Sequence, residues 1–184
     1  MDRETFRYYC SEDLKRFGNK KPNLKDWLLH NEVWYIFHYI RHLRCVEYYK
    51  DKNKFFYLWH LFRYKRLGFK LRITIYPGTI GPGLRIYHVG DFIHIGSNVR
   101  IGRNCTILPG VVFGNKYEMP DNTPITVGDN CYFDLGVKIF LGGGKIGNNV
   151  TVGANAVITK DIPDNVVVGG IPAKVIKYKK INNA

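Results

Sequence analysis

The sequence predicts a mainly β solenoid, a parallel β-helix, preceded by an α-helical segment. Three observations carry this. Large apolar residues return every six positions at Ile95, Ile101, Ile107 and Phe113. Glycine is rare before residue 71, where only Gly18 and Gly68 occur, and seventeen follow it. Aromatic and basic residues crowd the glycine-poor half.

The chain has 184 residues, 45% of them apolar, enough for one good core. Its formal net charge is +13, which implies anionic partners: phosphate-bearing molecules, acidic polymers or a membrane surface. Nucleic-acid binding would rest on charge alone, and we expect none. Cys10, Cys45, Cys105 and Cys131 form no CxxC pair, so we expect four reduced thiols in a cytoplasmic protein. The opening MDRETFRYYCSED lacks the apolar run of a signal peptide. VWYIFHYI, residues 33–40, is far too short to span a bilayer.

Residues 1–70 read as a helical domain. Leu24, Trp27, Leu28, Val33, Trp34, Phe37, Ile40 and Leu43 fall near helical spacing. Phe55, Leu58, Trp59, Phe62 and Leu67 mark a second run, and Pro22 suits a turn before the first long helix. The aromatic stripe fits helix packing; a peripheral membrane contact is the alternative reading.

Residues 71–184 read as the solenoid. The hexads run IGSNVR, IGRNCT, ILPGVV and FG from Ile95. After an interruption at 115–126 they resume as VGDNCY, FDLGVK, IFLGGGK, IGNNVT, VGANAV and ITKDIP. One hexad cannot bury its apolar residue, but stacked hexads can, if each supplies a short strand and the next turns a corner. The leading Ile or Val then points inward, and the following Gly or nearby Asn serves the corner.

These hexads, with IYPGTIGPGLRIYHVG, ILPGVVFG and VGANAVITKDIPDNVVVGGIPAKVIK, resemble the hexapeptide-repeat acyltransferases, and within them the serine acetyltransferase branch. The resemblance runs from about residue 10 to residue 178. It implies a left-handed parallel β-helix, a homotrimer, with trimer against hexamer (paired through the N-terminal helices, as is often the case in the serine branch) left open, and acetyl-CoA as donor in a groove between neighbouring β-helices.

Acetyl transfer to an alcohol needs a base for the hydroxyl proton and a donor for the oxyanion. The resemblance places His88 at the catalytic histidine. His94 matches no family motif and reads as structural or substrate-lining. With only these two histidines in the solenoid, no metal is expected. For the cofactor, the resemblance points to Lys116, Lys160 and Lys174 beside the phosphates. It points to Gly114, Gly136 and Ala154 along the pantetheine arm. Where relatives carry G-A-G-A, this chain has Asp134, Leu135, Gly136 and Val137, and Asn115 replaces a second glycine. The loop 115–126 matches one that covers the active site.

The acceptor side departs from the serine branch. An orienting Asp is replaced near Thr74, a second Asp by Tyr87, and an R-H-P motif by Asn122, Thr123 and Pro124. An ammonium or carboxylate without its partner is costly to bury. Tyr87, Asn122 and Thr123 offer neutral hydrogen bonds, and Asp91 is the candidate to orient His88. We therefore expect an O-acetyltransferase acting on a sugar hydroxyl in surface polysaccharide biosynthesis, with a small-molecule or oligosaccharide acceptor. The alternatives are a serine O-acetyltransferase of cysteine biosynthesis, and a non-catalytic anion-binding scaffold. The ending Ile181-Asn182-Asn183-Ala184 lacks the terminal isoleucine by which serine-branch enzymes dock to the next enzyme of their pathway.

Overall fold

The computed structural model describes residues 1–115 and 123–180. Four helices come first: α1 (Arg3–Lys15), α2 (Leu24–Leu28), α3 (Glu32–Tyr49) and α4 (Lys54–Leu71). The apolar run from Leu24 to Leu43 is thus split in two. At the break, His30 adopts φ 55° and the Asn31 side chain caps α3 by accepting from Val33 N.

From Ile73 the chain winds through three parallel sheets in strict rotation, forming a left-handed β-helix of three faces. The first face holds β1 (Ile73–Ile75), β3 (Ile93–Ile95), β6 (Val112–Asn115), β9 (Lys138–Leu141) and β12 (Val157–Ile158). The second holds β4 (Val99–Ile101), β7 (Ile125–Val127) and β10 (Gly144–Ile146), extended by bridges at Ile80 and Ile162. The third holds β2 (Arg85–Ile86), β5 (Thr106–Ile107), β8 (Tyr132–Phe133), β11 (Thr151–Val152) and β13 (Val166–Gly169). A final strand, β14 (Lys174–Tyr178), returns antiparallel along β13.

The hexad leaders point inward as the period predicts: Ile95, Ile101, Ile107 and Phe113 are all buried. The corners divide the work differently from the expectation. The glycine after a leader does not need a left-handed backbone. It is there because the next coil lies against it: a Cβ on Gly102 would sit 2.8 Å from the Gly128 carbonyl carbon. Left-handed geometry falls instead to the asparagines two residues on, Asn104, Asn130 and Asn149, at φ 54–57°. Side chains also tie coil to coil at this corner. Asp129 Oδ1 accepts from Arg103 N at 2.7 Å, Asn148 Oδ1 from Asp129 N at 2.9 Å, and Asp164 Oδ1 from Asn148 N at 2.8 Å.

Helices and β-helix share one core, sealed by a buried ion-pair network. Arg44 on α3 is fully buried. It donates to Asp13 Oδ2 at 2.9 Å, to the Ile80 carbonyl at 2.7 Å and to the Gly81 carbonyl at 2.6 Å. Asp13 on α1 accepts in turn from Gly83 N and Leu84 N. Tyr39 and Tyr64 bond the backbone of Ile75 from the other side. The first coil is therefore held by both α1 and the α3–α4 pair.

Candidate active site

His88 sits where the third face turns toward the first, just after β2. Its backbone lies at φ 60°, a left-handed value that costs a non-glycine residue and is held here by its surroundings. The holder is Glu32, the first residue of α3. Glu32 Oε1 lies 2.8 Å from His88 Nδ1, and Glu32 Oε2 accepts from Val89 N at 3.2 Å. One carboxylate thus fixes both the imidazole and the backbone behind it. The His88 side chain remains 67% exposed, so its other face is open to a reactant.

The geometry dictates a tautomer. A carboxylate facing Nδ1 accepts a hydrogen bond from Nδ1–H, which leaves the Nε2 lone pair of the neutral ring free as a base. The orienting carboxylate is Glu32 and not Asp91. Asp91 lies three residues beyond His88, on the same corner, near Gly110: a Cβ on that glycine would lie 3.6 Å from the Asp91 Cβ.

The structure sorts the other predicted residues onto two edges. Tyr87, His88, Asp91, Gly136 and Ala154 lie on or beside the edge between the third and first faces, where successive coils are bonded through Gly136 N to Pro109 O and Asn155 N to Leu135 O. Tyr87 is exposed, with the Arg85 guanidinium 4.6 Å from its ring centre. Gly114, Thr123 and Lys160 lie along the edge between the first and second faces, which one chain does not bring to His88. Lys174 is exposed on β14. Lys116 and Asn122 fall outside the described residues, as does most of the loop 115–126.

Two glycines serve the chain's own packing. A Cβ on Gly136, at φ 72°, would lie 2.2 Å from Asn155 Oδ1, and one on Gly114 would lie 3.0 Å from the Phe140 ring. His94 on β3 packs between Phe92 and Tyr76, and burial holds its pKa below the ordinary histidine value. Glu32 is the residue that sequence reasoning missed. An Asn followed by Glu marks a helix start, but no local signal couples it to a histidine 56 residues away.

Comparison with known proteins supplies the context. No family profile matches the chain. It is 40% identical over 108 residues to the serine acetyltransferase of Staphylococcus epidermidis, covering 58% of this chain and 50% of that protein. It is 39% identical over 106 residues to the Staphylococcus aureus serine acetyltransferase, covering 57% and 49%. The chain therefore spans about half the length of these relatives. Among solved structures, Neisseria gonorrhoeae serine acetyltransferase superposes with a TM-score of 0.73 at 24% identity, over 98% of this chain and 69% of that one. Brucella abortus serine acetyltransferase in complex with coenzyme A gives 0.76 at 21% identity, over 98% and 71%. These matches overturn the expectation of a sugar acceptor in polysaccharide biosynthesis. The missing charges at positions 74, 87, 122 and 123 had argued for neutrality, yet an ion's partner can come from an unrelated element, as Glu32 shows for His88. In sequence and in fold, this chain is similar to serine acetyltransferases.

Proposed function

We propose that the protein is an acetyl-CoA-dependent O-acetyltransferase with L-serine as acceptor. The observation that carries this reading is the Glu32–His88 pair. His88 Nε2 takes the serine hydroxyl proton as the oxygen attacks the thioester carbonyl. The tetrahedral adduct collapses, the carbon–sulfur bond breaks, and the proton passes from His88 to the departing thiolate. Glu32 holds Nδ1–H and stabilises the imidazolium while it exists. Asp91, exposed on the same corner, is a carboxylate available to the serine ammonium.

On this reading residues 1–70 supply Glu32 and residues 71–184 supply His88, so both parts are needed. Ala154 and Lys160 are exposed on different edges, and Lys174 on the third face. A homo-oligomer that sets one chain's His88 edge against a neighbour's Gly114, Thr123 and Lys160 would let both edges contact the acetyl-CoA.

The test is thiol release from acetyl-CoA on adding L-serine. We expect turnover in the wild type, a loss of about 10²–10⁴-fold in His88→Ala, and a smaller loss in Glu32→Gln with an altered pH profile. Coenzyme A binding without serine-dependent turnover would sink the acceptor assignment. Absence of both would leave a scaffold.

A further inference from the structure

We propose that the outward face of α4 docks on an anionic lipid membrane. The helix packs inward through Tyr64, Leu67, Gly68 and Leu71, all buried. Its opposite face should be polar in an ordinary surface helix. Instead Phe55, Leu58, Trp59, Phe62 and Phe69 are 73, 51, 53, 59 and 91% exposed. Their spacing of three, four, seven and fourteen residues aligns them in one stripe. That is a large apolar surface that nothing among the described residues covers.

The charges choose the occupant. Lys54, Arg63, Lys65, Arg66 and Lys70 line the same helix, and α4 carries no Asp or Glu. Arg66 falls within the stripe by its spacing. A second copy would set a cationic stripe against a like one, in a chain already at +13. A phosphate polymer would answer the cations but give five large apolar side chains nowhere to go. The interface of an anionic bilayer satisfies both, taking the rings into the acyl boundary and the cations onto the headgroups. At about 27 Å for 18 residues, α4 would lie flat in that plane. Among the described residues no helix is long and apolar enough to cross a membrane, so the contact is interfacial.

The experiment is co-sedimentation of the full chain with phosphatidylcholine vesicles, with or without phosphatidylglycerol. We expect pelleting only with phosphatidylglycerol and release at high salt. Trp59→Ser with Phe62→Ser should weaken partitioning at least about tenfold. Lys65→Glu with Arg66→Glu should weaken it at least about fivefold per cation removed. Both pairs lie on the exposed face, and unchanged thermal melting would show the fold intact. No pelleting with anionic vesicles overturns the proposal. Binding that survives loss of the rings but not of the cations means the face reads phosphate alone, which also overturns it. A smaller oligomer in Trp59→Ser with Phe62→Ser, with no vesicle binding by the wild type, makes a second copy the occupant.

Discussion

The two halves of this molecule are stabilised in different ways. The β-helix repeats one solution: an aliphatic residue turned inward, a backbone ladder to the coil before and after, and a small polar corner. A coil past the first touches mainly its neighbours, with α1 reaching the second through Arg16, which donates to Thr106 Oγ1 at 2.7 Å. The helical half repeats nothing. It leans on the first coil through individual contacts, chief among them Arg44, Asp13, Tyr39 and Tyr64. Damage should therefore spread differently in each half: singular and severe at the junction, graded along the coils.

The largest effect should come from Arg44. Arg44→Leu leaves Asp13, only 4% exposed, with no cation, and frees the Ile80 and Gly81 carbonyls. Losing one partner of a buried pair costs about 3–5 kcal/mol. We expect a lower denaturation midpoint. Hydrogen exchange should rise in α1, α3 and the first coil, while β9, β11 and β12 keep their protection. Equal loosening of those distant strands would erase the contrast between the halves.

A smaller, local effect should follow Gly128→Ala. The added methyl would stand 2.7 Å from Asn148 N and 2.8 Å from the Gly147 carbonyl carbon, so the next coil must shift. Overpacking of this kind costs about 1–3 kcal/mol. Replacing Asn130 by Ala tests the other corner device: it keeps the space but strains a residue at φ 57°, for about 1 kcal/mol. Denaturant melts of the two variants would rank close approach against backbone strain. A harmless Gly128→Ala would show that the coils can slide apart.

What the sequence made legible follows the same division. The hexads were readable because every unit states its own role, and ten repetitions outvote any local ambiguity. The helices were readable as apolar runs, but their break at Leu29–Asn31 was not, since periodicity continues across it from Trp27 to Val33 and Trp34. His88 was singled out by its motif. Glu32 was not, because its meaning depends on how α3 packs against the β-helix, and that packing is set by Arg44 and Asp13 rather than by any repeat. The expectation of a sugar acceptor, which the matches to serine acetyltransferases overturn, rested on charges sought only where relatives keep them in sequence.

The smallest expected effect concerns the interface between α3 and α4. His42 Nδ1 and His60 Nδ1 lie 2.8 Å apart, so one must donate and the other accept. Both cannot be protonated and keep the bond. Burial, with the His60, Arg63, His38 and Arg41 charges adding to it, lowers the His42 pKa to about 4. In the unfolded chain an ordinary histidine titrates near 6.5. Between these values the unfolded state holds more protons, so stability falls as pH falls. The contribution should be whole above about pH 6.5, decline through the interval and be gone near pH 4. His42→Gln cannot titrate there, and its melting temperature should drop less than the wild type's across that window. Because the pair is only partly buried, solvent will blunt the difference to a few degrees. Parallel pH curves for the two proteins would place the acid sensitivity elsewhere, with the corner carboxylates Asp129 and Asp164 next in line. Backbone donors hold those two below the usual carboxylate range, so they would lose their ladders to protonation at lower pH.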